Sequence, residues 1–392
     1  MPGFIHALFP PDPPLSPMTF SRLPVVHRFW LGGIAGALFG FALGFLLWAW
    51  QQGELPATPL YPQVKLWHAR TQILLFLGSF LLGFALQSGP HVVGGPPPPS
   101  RALLRLLPLL WLGFGVSLIP HDGLTGVGNL LISGACLIAA WLLLRITLQG
   151  DPLRRLPRGI PLALSLLPLA IAPWLPLEQA ETALWVLWCG PVTTALVAAQ
   201  QLIHNVLGGR LLHGRVAHLF AAALLSAWLL STLAAFADAS YWPWAALAWL
   251  AVLTTLILGS HFVQAVWRFG WASISLTLLL GLATALVCAL GLTQPGLPLD
   301  AVLHLLGAGT MTSLILGVVA RVARFFSGAS VLSDRLLSLL LLLWNLVVLS
   351  RIATALGWPL PEPGLRISIA SGALLLTLWS FRVALRLWQI ER

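Results

Sequence analysis

Ionisable residues inside long apolar segments are the residues with which this sequence could do chemistry. The stretch LYPQVKLWHARTQILLFLGSF begins a predicted membrane span and places His68 and Arg70 in its first turns. Such groups are costly in hydrocarbon, and those found within spans commonly mark a functional site. His68 is therefore a candidate ligand of a metal or a haem. Gln72 lies one turn further along the same face, where it could hydrogen-bond to the imidazole or line the same cavity.

The remaining histidines within predicted spans fall into two layers. His304, in HLLGAGTMTSLILG, begins another span that runs in the same direction as the span of His68, so both imidazoles lie at one depth. Two histidines at one depth on different helices suit axial ligation of a haem or a shared metal. His204 and His261 lie toward the opposite side and are the other candidate metal ligands.

Each of these residues also has a purely structural interpretation. An intramembrane histidine is often a hydrogen-bonding residue between helices. Arg70 and Arg351 could snorkel to the lipid headgroups, or they could pair with the acid groups of a bound haem or of an anionic substrate. Glycine-rich runs such as GGIAGALFGFALG (32–44) are typical of close helix packing.

The elements that must position these residues are membrane helices. The chain has 392 residues, of which 58% are hydrophobic and only 8% charged, whereas soluble domains carry about a quarter charged residues. We predict an all-α, polytopic membrane protein with a Pro-rich tail (1–27) and one transmembrane domain (28–392). Twelve apolar runs are long enough to span a bilayer: 28–50, 66–88, 102–119, 126–147, 159–176, 182–206, 216–237, 243–267, 271–293, 301–322, 335–356 and 367–388.

The placement of basic residues predicts how the spans are oriented. Of 21 Lys and Arg residues, only Lys65, Arg70, Arg351 and Arg366 fall on the side of the odd-numbered loops. The positive-inside rule then places both termini in the cytoplasm of a bacterial inner membrane. This topology accounts for the net charge of +10, so no nucleic-acid partner is needed to explain it. The sequence has no Walker motif, GxSxG or HExxH, which leaves hydrolase and ATPase functions without support.

Three stretches together resemble the NnrS family of twelve-span bacterial inner-membrane proteins. They are WHAR (67–70), GFALQSGP (83–90) and HLLGAGTMTSLILGVVARV (304–322), and their order and spacing agree with the family pattern. The resemblance implies a membrane protein that binds haem and copper and helps the cell withstand nitric oxide. It also implies that His68 and His304 are haem or metal ligands.

The chain departs from the family pattern at several histidines. Arg70 and Thr71 stand where the family has a second histidine and a glutamate, and Phe326 begins the segment where the family has HTG. Copper centres in proteins need several well-placed nitrogen ligands, whereas haem iron needs only one or two axial ligands. The resemblance therefore implies haem more directly than it implies copper.

The predicted function is haem-dependent handling of nitric oxide or a related diatomic molecule, with a respiratory-chain redox partner as a further expectation. Whether the protein is an enzyme is left open by the sequence. Two alternatives remain open as well. Twelve spans with Gly and Pro breaks also suit a secondary transporter, and the protein could instead be a structural partner of a respiratory complex.

Overall fold

The computed structural model describes residues 23–390 except 52, 57, 271, 295, 328–330 and 359–361, and within this part of the chain it contains helices and no strands. The helices are α1 (Leu23–Gln51), α2 (Tyr61–Val93), α3 (Ser100–Ser117), α4 (Asp122–Gln149), α5 (Pro152–Trp174), α6 (Ala180–Asn205), α7 (Gly214–Phe236), α8 (Trp242–Gly259), α9 (Phe262–Phe269), α10 (Ser273–Leu292), α11 (299–327), α12 (Asp334–Ala355) and α13 (Glu362–Ile390).

These helices confirm the predicted fold class, an all-α polytopic membrane protein. Ten of the helices are long and apolar enough to cross a membrane, and the shorter apolar segments Ala102–Ser117 and Ala370–Leu385 occupy the other two predicted spans. Large apolar side chains such as Leu229, Leu258 and Leu346 are exposed on the outside of the bundle. Such a surface suits lipid, because helices satisfy their own backbone hydrogen bonds there.

One predicted span ends earlier than expected. The apolar run 243–267 predicts a continuous helix, but α8 ends at Gly259 and the short helix α9 begins at Phe262. His261 between them has a left-handed backbone with φ of 54°, and the carbonyl of Ser260 accepts a hydrogen bond from the backbone N–H of Arg210. The loop 206–213 therefore bonds to the chain where the helix breaks at residues 260–261. The local sequence does not predict this break. Residues 1–22 of the predicted Pro-rich tail lie outside the described part.

The bundle has two ends that carry different polar residues. Among the described residues, the histidine end holds the connections 53–56, 58–60, 118–121, 175–179, 237–241, 293–294, 296–298 and 356–358. The arginine end holds 94–99, 150–151, 206–213, 260–261, 270, 272 and 331–333, together with the short helix α9. The most buried spanning helices are α2, α5, α6 and α11. The described residues contain four π-helical segments, Thr71–Leu77, Arg155–Gly159, Trp188–Val192 and 305–312, and each lies in one of these helices. Such segments often occur at functional sites.

Candidate functional site

A stripe of glycines on α1 packs against the first candidate residues of α2. Gly36, Gly40 and Gly44 face α2, and a Cβ atom at Gly44 would lie 2.9 Å from Cε1 of His68. A Cβ atom at Gly40 would overlap the amide Nε2 of Gln72. The stripe therefore packs helices closely, as small residues do in membranes, and it also leaves room for the imidazole and the amide between α1 and α2.

The hydrogen bond of His68 fixes which ring nitrogen is available to a ligand. Its Nδ1 lies 2.8 Å from the backbone carbonyl oxygen of Gly40 on α1. A carbonyl oxygen only accepts, so Nδ1 carries a proton, and in the neutral ring Nε2 keeps a free lone pair. An imidazole fixed in this way through its other nitrogen is the usual arrangement of a metal-ligating histidine. Gln72 thus packs beside the imidazole, but the hydrogen-bond partner of Nδ1 is the Gly40 carbonyl.

His304 shows the same arrangement on α11. Its Nδ1 lies 2.8 Å from the backbone carbonyl oxygen of Asp300, one turn earlier, so Nδ1 donates and Nε2 is the acceptor nitrogen of the neutral ring. The Asp300 carboxylate lies 3.4 Å from the same Nδ1 and accepts a hydrogen bond of 2.8 Å from Nη2 of Arg351 on α12. Asp300 therefore lies beside Nδ1 of the ring, and Arg351 holds its carboxylate.

The two histidines belong to one group of residues at the histidine end. His68 lies within electrostatic range of His304, Asp300 and Arg351, which come from α11 and α12. The π segment of α11 begins directly after His304. In that segment a Cβ atom at Gly307 would meet a single described neighbour, a Leu187 methyl group at 3.8 Å. Close protein packing thus does not explain the glycine at 307, and the missing side chain leaves space beside His304.

Arg70 points away from this group. Its guanidinium is buried, and it donates to the carbonyl oxygens of Ser117 at 3.2 Å and Pro173 at 3.1 Å, which lie at the C-terminal ends of α3 and α5. Cations are favoured at helix C-termini because the last carbonyl groups lack intrahelical partners. Arg70 therefore links three helices, and it lies within electrostatic range of Glu178. Its predicted role in holding a cofactor remains a prediction.

His204 and His261 lie at the arginine end and are separated from the His68 group by the depth of the bundle. Nδ1 of His204 donates to the carbonyl oxygen of Gly209 at 2.9 Å, and Nδ1 of His261 bonds to the Gln264 side-chain oxygen at 2.8 Å. Within the described residues, no three His, Cys, Asp or Glu side chains come together as a metal site. The ligand roles predicted for His204 and His261 stay predictions.

The chain matches one known protein family over most of its length. A sequence profile described as NnrS protein matches residues 27–390, which is nearly the whole chain. The chain belongs to the NnrS family. Comparison with curated proteins gives no match. The resemblance carried by WHAR and HLLGAGTM is thereby confirmed, and the protein is a multi-pass membrane protein of the NnrS family.

One feature of this NnrS protein was not predicted as part of the site. Asp300 was recognised only as a charge near one membrane face, yet its carboxylate lies 3.4 Å from Nδ1 of His304 and pairs with Arg351, which was predicted to snorkel or to pair with acid groups. The spacing of Asp300 and His304, four residues apart on one helix, is a local signal that could have found it. The contact of Gly40 with His68 joins residues 28 positions apart, and no local pattern predicts it.

Proposed function

We propose that this NnrS protein binds haem at the histidine end, with His68 and His304 as the iron ligands, and uses it to handle nitric oxide. The observation that carries the proposal is that two imidazoles from α2 and α11 share one neighbourhood. Each binds a backbone carbonyl through Nδ1, and no described residue hydrogen-bonds to Nε2 of either ring. Each ring thus offers one nitrogen of the type that binds haem iron.

The surroundings fit a haem better than a copper centre. A Cβ atom at Gly307, one turn after His304, would meet only a Leu187 methyl group at 3.8 Å, so no close packing contact covers this face of the helix. The Asp300 carboxylate is already paired with Arg351, and the described residues contain no third ligand for a copper site. A bound haem iron would supply a change of redox state, and a diatomic molecule would bind it in place of one of the two imidazoles. The chain would hold each ring by its Nδ1–H.

An apolar cavity supports a small, uncharged ligand. A cavity of about 60 Å³ lies between α1, α2, α6, α10 and α11, and it is lined by apolar groups including Phe80, Leu278 and Met311. Met311 and His304 lie on the same helix, seven residues apart, so the cavity lies deeper in the bundle than the histidines. Nitric oxide is small and lipid-soluble and needs no polar channel to enter such a space.

The orientation and location belong to the same proposal. We place the protein in a bacterial inner membrane with both termini in the cytoplasm, because the arginine end carries most of the basic residues. The histidine end then faces the periplasm, where a respiratory-chain redox partner would have to meet it. Labelling of single cysteines introduced at 53 and 213 with a membrane-impermeant reagent tests this placement: only the cysteine at 53 should react in intact cells.

The experiment that tests haem binding is a reduced-minus-oxidised optical spectrum with metal analysis after haem-replete expression. His218 gives a matched control, because its Nδ1 also bonds to the carbonyl four residues earlier, at 2.8 Å, but it is exposed at the arginine end. We expect His68→Ala and His304→Ala to lose or shift the Soret band and His218→Ala to keep it. Addition of nitric oxide should then shift the band of the wild-type protein.

Two results would contradict the proposal. One is wild-type protein without haem or metal. The other is a Soret band that both His68→Ala and His304→Ala leave unchanged. Either result would favour the competing functions, a secondary transporter or a structural partner of a respiratory complex. Transport assays and co-purification with an oxidase or reductase would then be the next measurements.

A further inference from the structure

The apolar cavity between α1, α2, α6, α10 and α11 offers no hydrogen-bonding side chain to an occupant. Among its lining residues, only Thr194 and Trp30 carry oxygen or nitrogen in their side chains. Oγ1 of Thr194 lies 2.7 Å from Oγ of Ser165 on α5. Nε1 of Trp30 lies against Gly83 on α2, where a Cβ atom would be only 3.0 Å away. Both polar groups are therefore engaged in the walls, and the cavity itself is apolar.

The size and the lining of the cavity select the kind of molecule that it can hold. A buried water needs about two to four polar partners, and an engineered apolar cavity of about 150 Å³ stays dry and binds benzene or xenon. The cavity here has a volume of about 60 Å³, which is too small for an aromatic ring. It is larger than the roughly 10–15 Å³ that one water requires. A single atom or diatomic molecule without charge fits both limits.

The rim of the cavity connects it with the lipid. Four lining residues, Phe84, Ala195, Leu202 and Val318, are half-buried, whereas the other lining residues are buried. They belong to the membrane-spanning helices α2, α6 and α11, in the half of the bundle nearer the arginine end. An apolar gas dissolved in hydrocarbon thus meets only apolar side chains at this rim.

We propose that this cavity is a dry binding site for small apolar gas molecules, which enter it from the lipid. That the gas is nitric oxide rests on the proposed function, whereas the affinity for an apolar gas does not. Met311 lines the cavity and lies seven residues after His304 on α11, which is about two helical turns. Nitric oxide held there would be stored close to the proposed haem, on the side away from the periplasm.

Xenon is a suitable probe, because it is apolar and does not coordinate iron. The sequence has three methionines, Met1, Met18 and Met311, so isotope-labelled methionine methyl groups give a simple NMR spectrum of the full-length protein in detergent. The Met311 signal, assigned with Met311→Leu, should shift with xenon pressure and then level off as the cavity fills. Met1 and Met18, in the Pro-rich tail, serve as internal references for the general effect of xenon on the solvent.

Two variants change the volume of the cavity, and a third is the control. Ala198 lines the cavity, and Ala198→Leu should abolish most of the xenon-dependent shift by filling it. Leu278→Ala should enlarge the cavity, strengthen the response to xenon and admit benzene; it also covers the case in which Ala198→Leu fails to fold. Ala222→Leu makes the same substitution at an exposed position of α7 that does not line the cavity, and it should respond as the wild type does.

The outcomes separate the gas site from the proposed function. A Met311 shift that never levels off, or one that Ala198→Leu and Leu278→Ala leave unchanged, would overturn the gas site. Equal loss of the shift in Ala222→Leu would overturn it as well. In haem-loaded protein, Ala198→Leu should slow the association of nitric oxide without moving the Soret band. An unchanged rate beside a saturable xenon response would overturn only the storage of nitric oxide. Wild-type protein without haem would contradict the proposed function and leave the xenon result standing.

Discussion

Replacing Gly44 with alanine should displace the His68 ring, and this change tests the proposed site without removing a ligand. The added Cβ would lie 2.9 Å from Cε1 of His68, whereas carbon atoms in contact prefer about 3.5–4.0 Å. The ring cannot turn aside freely, because Nδ1 is held at 2.8 Å from the Gly40 carbonyl oxygen. Either the ring moves and strains this hydrogen bond, or α1 moves away from α2.

The expected cost follows from these contacts. Overpacking of this kind costs about 1–3 kcal/mol, and loss of the hydrogen bond would add about 0.5–1.5 kcal/mol. Alanine in place of glycine within a helix returns about 0.5–1 kcal/mol. We therefore expect Gly44→Ala to lower the free energy of unfolding by about 1–3 kcal/mol. Gly134→Ala is the control, because a Cβ at Gly134 on α4 meets nothing within 4 Å.

The buried cysteines supply the assay. Cys136, Cys189 and Cys288 are free and buried, so a thiol-reactive fluorescent dye in detergent reports their exposure as the protein is heated. The apparent unfolding temperature of Gly44→Ala should fall, and that of Gly134→Ala should stay level or rise. If haem is bound, the first variant should also lose part of its Soret absorbance. A Gly44→Ala variant as stable as Gly134→Ala would refute the assigned contact between α1 and His68.

Three further predictions use the same dye assay. Arg70→Met removes two hydrogen bonds to the ends of α3 and α5 and should lower stability by about 2–4 kcal/mol; an unchanged unfolding temperature would contradict the linking role. Asp300→Asn breaks a partly exposed ion pair, so the free energy of unfolding should fall by less than about 1 kcal/mol. A larger coupling energy in a double-mutant cycle with Arg351→Gln would contradict this prediction. Trp344→Phe removes the bond from Nε1 to the Ala308 carbonyl oxygen at 2.8 Å and should cost about 1 kcal/mol; no loss would mean that this bond adds nothing.

The positions of the helices could be predicted from the sequence because membrane spans are long and loops are marked by Gly, Pro and charge. The end of α8 could not be predicted, because the run from Gly259 to Phe269 stays largely apolar and lacks proline.

The π segments likewise include some that the local sequence predicts and one that it does not. WCGPV and RLPRG each contain a proline, which disrupts the regular helical hydrogen bonds. The segment TQILLFL in α2 has no such residue, so its π geometry depends on packing against α1.

The depth of the candidate site could be predicted, but its hydrogen bonds could not. The direction of each span fixes which histidines share a membrane layer, and His68 and His304 are placed together on this basis. The partner of His68 is a backbone carbonyl on another helix, and backbone groups leave no mark in the sequence. Arg70 illustrates the same limit, because its two acceptors are carbonyls at the ends of α3 and α5.

Unused hydrogen-bonding capacity alone does not identify a ligand site in this protein. Arg70 meets helix-end carbonyls through both of its terminal nitrogens, yet its buried Nε has no partner among the described residues, and Arg158 uses only Nη2. His68 and His304 use only Nδ1, and they come from two helices into one neighbourhood. Unused capacity in an apolar bundle is costly unless a ligand or water takes it up. Two acceptor nitrogens that face one neighbourhood suit a metal ion such as haem iron, and this pairing distinguishes the histidine end from the isolated arginines.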